Sequence, residues 1–460
     1  MPGFHIEHFG CRSARADGEA IAAHLRGTGQ QSADRTAEAD VVVVNTCSVT
    51  AEADRQARAF IRRAHRANPA AKIVVTGCYA QRAPQELAGM AGVTAVIGNS
   101  HKALAPQIIL DLTRGPLAPP PAPDQLVRVE SLLAASAPIW ADDRFAHSFL
   151  EEVQIAPSVQ TRPNLKIQEG CGNRCTFCVI PQTRGSSRSL PYATVMKQVE
   201  GFVAAGGNEL VLSGINLGRW GSDLTPRATF AGLVRQILTQ TSLPRLRLSS
   251  IEPMDWDDEL IGLMAEFGGT RLARHAHLPL QSGSDAVLRR MHRRYRPWHY
   301  ADKIEALLRA VGAELTIGAD VMVGFPGETD AEFGETLAFV RALPFGYLHL
   351  FPFSPRPGTR GWTLHTQSPV AAAVVDERMS ALRVLATEKT EMHRRNFIGR
   401  TLQAITLHTP AALAARNRTA ALTENFLPVE MEGSVSANQS LRITVRHLNR
   451  ALALEAAPLL

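Results

Sequence analysis

The chain has 460 residues, 45% of them hydrophobic and 20% charged, which suits a globular protein of two to four domains with a core of ordinary size. No apolar run reaches the roughly 18 residues of a membrane span. The opening MPGFHIEHFG has neither a basic nor an apolar leader region, so a cytosolic protein without membrane contact is expected. Lys and Arg number 49 against 43 Asp and Glu, and the net charge of +6 permits a polyanionic partner without requiring one.

In chain order, residues 1–112 alternate strand and helix signals. Apolar β-branched runs fall at Phe4–Phe9, Asp40–Val44, Lys72–Val75 and Val93–Ile97, with helical patterns at Glu19–Leu25 and Ala51–Arg66 between them. This predicts a doubly wound α/β domain with a parallel sheet. Residues 113–126 hold five prolines and predict a linker, with 113–160 as connector. Residues 161–396 alternate again. Strands are expected at Leu165–Gln168, Glu209–Ser213, Leu246–Ile251, His275–Leu280, Leu315–Val323 and Tyr347–Phe353. Helices are expected at Tyr192–Ala205, Thr229–Thr239, Asp257–Phe267, Trp298–Val311 and Asp330–Ala342. Six β–α units are too few to close a barrel of eight, so an open (β/α)6 barrel is predicted, followed by one long helix over 370–396. From 397 to 460 the period becomes two, at Leu402–Leu407, Thr419–Val429, Leu441–His447 and Leu452–Glu455, which predicts a small antiparallel β domain.

The six cysteines fall in two sets. Cys171, Cys175 and Cys178 have the spacing CxxxCxxC directly after the first strand of the second α/β region. Three thiolates on one loop suit a soft metal or an iron–sulfur cluster, and with no fourth cysteine nearby one iron stays open for a non-protein ligand. A zinc knuckle with a distant fourth ligand is the plainer alternative. Cys11, Cys47 and Cys78 each end a predicted strand, and in a parallel sheet the carboxyl ends share one edge. Three such positions in one domain predict a second three-thiolate site, rather than three small buried hydrophobes.

These features resemble the methylthiotransferases of the radical S-adenosylmethionine (SAM) superfamily. The resemblance rests on FGCRS (9–13), VNTCSVTAEADRQAR (44–58), VTGCYAQ (75–81), LKIQEGCGNRCTFCVIPQTRG (165–185), GGNELVLSGINLG (206–218), HLPLQSGS (277–284), DVMVGFPGET (320–329) and PFSPRPGT (352–359). Ala14 stands where the family usually has Asn, and PQTRG where it often reads PYxRG or PFxRG. Membership implies two [4Fe–4S] clusters, SAM, and a C-terminal TRAM domain that binds RNA. It also implies a 5′-deoxyadenosyl radical that takes hydrogen from C2 of an adenine, and transfer of a methylated sulfur held at the N-terminal cluster. An external electron donor and sulfur source are implied as well. Of the family's branches, SVTAEADRQAR and GSSRSLP resemble the one acting on N6-threonylcarbamoyladenosine beside the tRNA anticodon. The isopentenyladenosine branch, the branch acting on a ribosomal-protein aspartate, and a non-catalytic metal-binding RNA module are the alternatives.

The resemblance also suggests SAM contacts. Phe177 is expected against the adenine, and Gly206 and Gly207 near the methionyl amine. Ser249, Glu252, Gln281 and Gly324 follow later strands and are expected at the barrel mouth. For RNA, Arg55, Arg58, Arg62 and Arg66 share one face of the helix after Cys47, while Ala57, Phe60, Ile61 and Ala64 share the other. That face is either an anticodon-arm grip or a solvated surface. The run Arg289–Arg296 and Arg442, Arg446 and Arg450 are lesser candidates.

Overall fold

The computed structural model describes residues 3–114, 137–147 and 161–459. The first domain is built on a fully parallel sheet ordered Gln31–Ser32, Gly3–His8, Val41–Thr46, Lys72–Gly77, Val93–Gly98, Ile139–Trp140. Its central strand VVVVNT is buried at every position, because helices cover both faces. Val41, Val43 and Val74 pack with Ile21, Leu25 and Ile109 on one side. Val42, Val44 and Val75 pack with Ala57, Ile61 and Ala64 on the other.

The expected connector is partly structured. The helix Ala105–Arg114 extends past 112, and Ile139–Trp140 pairs with Val93–Gly98 as a sixth strand. Trp140 is buried in the first domain's core, so that domain reaches beyond the proline run. A two-residue strand is too short to show a period in sequence. The prolines themselves lie in residues 115–136, outside the described residues, as do 148–160.

The second domain has the six expected parallel strands: Asn164–Glu169, Glu209–Gly214, Arg245–Leu248, His275–His277, Thr316–Val323 and Tyr347–Pro352. Single bridges at Leu246–Leu272 and Ser250–His277 join its two ladders into one curved sheet. A short strand not expected from sequence, Arg188–Ser189, runs antiparallel beside the first. Alternate residues such as Leu246, Leu248, Ala276, Ile317 and Ala319 pack under the helices. Period two then sends Arg245, Arg247, His275, His277, Asp320, Tyr347 and His349 to the opposite, concave face.

After the single helix Ala372–Arg395 the chain forms a closed five-stranded barrel, ordered Thr401–Thr406, Arg418–Thr423, Pro428–Glu432, Leu454–Pro458, Ser440–Leu448. Thr419–Val429, read as one strand, is two strands broken by a tight turn at Phe426, whose φ is +67°. The barrel is also not wholly antiparallel, since Pro428–Glu432 pairs in parallel with Leu454–Pro458. It docks at the amino ends of the larger barrel's strands. There Arg247 Nη2 donates to the Thr423 carbonyl (3.1 Å) and Asn208 Nδ2 to that of Asn438 (2.7 Å).

His393 on the long helix bonds Thr316 Oγ1 at 2.9 Å, and burial depresses its pKa from 6.5 to about 4, with Arg394 adding to the effect. The fold therefore favours neutral His393. Its stabilisation is present above pH 6.5 and is lost as the pH falls towards 4. Thermal melts across that window should show a loss of stability that is reduced in His393→Gln.

Candidate iron–sulfur and SAM site

Cys11, Cys47 and Cys78 follow three adjacent strands of the first sheet and meet at its carboxyl edge. Glycines let the loops approach. Gly10 has φ of +112°, and a Cβ there would lie 2.7 Å from Cys47 Sγ. Gly77, at φ +100°, lies so close to Thr46 that a Cβ would sit 2.8 Å from its backbone nitrogen. Cys47 and Cys78 are buried and Cys11 is exposed. Burial, then the neighbouring sulfurs of Cys78 and Cys11, push the Cys47 thiol up to about 12. Three mutually repelling sulfurs with donors turned towards them suit a cationic iron centre. Val49 N–H lies 3.4 Å from Cys47 Sγ, and Asn99 Nδ2 and Arg184 Nε each lie 3.3 Å from Cys78 Sγ.

Cys171, Cys175 and Cys178 lie on the loop after Asn164–Glu169, which turns at Gly170 (φ +70°). They border a cavity of about 680 Å³ that is also lined by Asn173, His292 and Arg360. The same donor pattern recurs here. Asn173 N–H (3.4 Å) and Asn216 Nδ2 (3.5 Å) face Cys171 Sγ, and Arg293 Nη1 (3.3 Å) faces Cys175 Sγ. Glu252 fixes Arg293 through two bonds of 2.8 and 2.6 Å. Burial pushes Cys178 up to about 12. With six cysteines in the chain, each set can hold a four-iron cluster only with one iron left open.

The two sets are joined by a buried charge network. Arg184, fully buried, turns Nε to Cys78 and Nη1 to Glu169 (2.7 Å) and Asp17 (3.1 Å). Lys102 and Lys166 bind the same two carboxylates. Burial works against ionisation, but these three cations hold Asp17 and Glu169 below their usual carboxylate range. Three cations against two carboxylates leave positive charge beside Cys78, and Glu169 directly precedes the Gly170–Cys171 turn.

The expected SAM contacts separate into groups. Glu252 lies one side chain from Cys175, through Arg293. Ser249 is buried just beyond the end of its strand and bonds back to Leu212 (3.0 Å). Gln281 holds φ of +65°, with Oε1 buried and without a partner among the described residues. Phe177 packs half-buried against the barrel core, with its Cα close to Gly361. Gly206 and Gly207 do not reach this end. They precede Glu209–Gly214, so they lie at the amino end of a parallel strand, far from the cysteine loop. Gly206 ends the helix Tyr192–Ala204 at φ +80° and its carbonyl takes a bond from Asn438 Nδ2, while Gly207 seats on the Phe202 ring. Gly324 is needed for packing, since a Cβ would meet Val375 of the long helix at 2.6 Å. Ser282, the residue after Gln281, turns to Thr336 on a flanking helix.

On the helix Ala51–Ala67, Arg55 pairs with Glu52, and Arg58 bonds Tyr79 Oη and Glu86. Arg62 and Arg66 are exposed and make no ion pair among the described residues. Arg293 falls inside a run considered for RNA, and the structure buries it at the barrel cysteines. Arg184 sits in PQTRG, but the carboxylates it binds are 15 and 167 residues away, a pairing no local pattern reveals.

Residues 3–98 match the family described as uncharacterized protein family UPF0004, and residues 165–340 match the radical SAM superfamily. The radical SAM methyltransferase TsrM from Kitasatospora setae shares the fold over 80% of this chain and 75% of its own, at 15% identity and a TM-score of 0.53. Fold and cysteine loop together define a radical SAM enzyme. The threonylcarbamoyladenosine tRNA methylthiotransferase MtaB of Bacillus subtilis (strain 168) is 34% identical over 94% of this chain and 90% of its own. That of Aquifex aeolicus (strain VF5) is 32% identical over 96% and 99%. The tRNA-2-methylthio-N(6)-dimethylallyladenosine synthase of Erythrobacter litoralis (strain HTCC2594) is 33% identical over 88% and 86%. The chain belongs to the radical SAM methylthiotransferase family, whose cofactors are SAM and [4Fe–4S] clusters.

Anaerobically reconstituted protein should carry about eight irons, and Cys175→Ala or Cys47→Ala should each lose about four. Zinc without colour would instead mark a knuckle. In the metal-free protein, Arg184→Gln should cost about 3–5 kcal/mol, read from denaturant unfolding, because Asp17 and Glu169 lose a buried partner.

Proposed function

We propose that this enzyme methylthiolates C2 of N6-threonylcarbamoyladenosine beside the anticodon of tRNA. The observation that carries the reading is the junction itself: one buried guanidinium, Arg184, bonds Cys78 of the first triad and Glu169, which leads into the loop of the second. Cys11, Cys47 and Cys78 hold one cluster, and Cys171, Cys175 and Cys178 hold the other. Phe177, Ser249, Glu252 and Gln281 line the SAM side. When bound, these cofactors supply one-electron cleavage of an unreactive C–H bond and a methylated sulfur for transfer.

The chain's own residues supply position and charge. Asn216 and Arg293 hold their sulfurs as acceptors of hydrogen bonds, and such bonds favour the thiolate. Glu252 locks Arg293, and the Asp17–Glu169–Lys102–Lys166–Arg184 network fixes the distance between the domains. Arg62 and Arg66, exposed in the second half of the helix that follows Cys47, can grip phosphates of the anticodon arm, and Arg442, Arg446 and Arg450 of the C-terminal barrel can add further phosphate contacts. An external electron donor and a sulfur source complete the reaction. A tRNA substrate supports a cytosolic location.

The threonylcarbamoyl substrate is preferred because relatives bearing that name align over 94% or more of this chain, against 88% for the dimethylallyl enzyme of E. litoralis. Nucleosides from tRNA of a deletion strain decide between them. Loss of the 2-methylthio mark on threonylcarbamoyladenosine alone supports the reading. Loss on dimethylallyladenosine, with the other retained, overturns it.

A further inference from the structure

The concave face of the larger barrel ends in a recess where all three domains meet. Phe426, from the turn of the C-terminal barrel, lies at its centre. Three guanidinium carbons lie near this ring's centroid: Arg247 at 5.3 Å, Arg12 at 5.7 Å and Arg162 at 5.8 Å. The rings of His275 (4.3 Å) and Tyr347 (5.5 Å) complete the wall.

The charge here does not balance. Glu209 receives Arg162 (2.6 Å), Arg247 (2.7 Å) and Arg245 (3.5 Å). Glu424 is taken by Arg274, and Asp320 by His277 and His349. Arg12 has no hydrogen bond or ion pair among the described residues, and it stays open to solvent although burial, opposed by Tyr347 and reinforced by Arg247, lowers its pKa. Two further atoms in the wall, Arg247 Nη1 and His275 Nδ1, are buried without a partner among the described residues. Burial, then Arg247, Arg12, His277 and Arg162, hold His275 well below its usual pKa, so the recess carries a positive potential even with its histidine neutral.

We propose that this recess binds a carboxylate, that of the threonyl group on the substrate adenine, with Arg12 as the residue that engages it. The inference rests on the proposed substrate and deepens it. Arg12 directly follows Cys11, so its side chain starts from a ligand of the N-terminal cluster, where the reacting base must come. A guanidinium fork matches a carboxylate, and Phe426 and Tyr347 provide flat apolar walls for the attached chain. A dimethylallyl group offers no charge to this recess.

The test uses cluster-loaded protein and anticodon hairpins carrying threonylcarbamoyladenosine, its threonyl methyl ester, or plain adenosine. Wild type should bind the acid about tenfold more tightly than the ester. Arg12→Gln should lose most of that preference while its affinity for the plain hairpin is kept. Iron content and visible spectrum, measured alongside, show that the variant is loaded. Equal binding of acid and ester by wild type overturns the inference without any variant. Equal weakening of all three hairpins by Arg12→Gln also overturns it, and identifies a backbone-phosphate contact. If wild type fails to methylthiolate the acid hairpin at all, the substrate reading falls instead.

Discussion

Arg184 occupies the point where two domains and two metal sites come together. A guanidinium removed from water needs partners for its donors, and here Nε meets a cysteine sulfur and Nη1 two carboxylates, while the buried Nη2 has no partner among the described residues. Asp17 comes from the first domain and Glu169 from the second. Neither acid would stay ionised in this interior alone, and neither would the lysines beside them. The network therefore forms only when the domains dock, and docking is what links Cys78 of one triad to the base of the other triad's loop. Excess positive charge at this spot also suits sulfur-ligated iron, whose net charge is negative.

The rest of the molecule holds this junction in place. Two-sided helical cover buries the first sheet and leaves its carboxyl edge free for Cys11, Cys47 and Cys78. The larger barrel does the same, directing its cysteine loop, Ser249, Glu252 and Gln281 to one end. Its other end is closed by the C-terminal barrel. The resulting interior is mostly polar on the concave face, where Phe426 and Tyr347 are its apolar walls, and apolar under the helices, so charged side chains from three domains can share one space.

Much of this was legible in the sequence. Strands such as VVVVNT and Thr316–Val323 are long and unambiguous, and the cysteines follow strand ends where a parallel sheet collects them. Less visible was anything depending on long-range pairing. Arg184, Arg293 and Asn99 look unremarkable until the fold brings them to sulfur. Gly206 and Gly207 were misplaced because proximity to a strand in sequence does not say which end of it. The glycine at 324 answers to Val375, some fifty residues on, and not to a ligand. The turn at Phe426 was hidden inside a stretch whose period of two runs on through it.

The returning segment at 137–147 ties the two halves together. Ile139 and Trp140 close the first sheet. Two residues on, Gln81 Nε2 reaches the Asp142 carbonyl at 2.7 Å, and the Phe145 ring packs on Gly185, the residue after Arg184. One short strip thus clasps both the first domain and the base of the barrel's cysteine loop. The span before it is then free to vary in length, since doubling a loop adds only about 0.6 kcal/mol of closure entropy. Even a backbone cut there would leave the strip seated by its own contacts, and the fit between the domains would outlast the covalent connection.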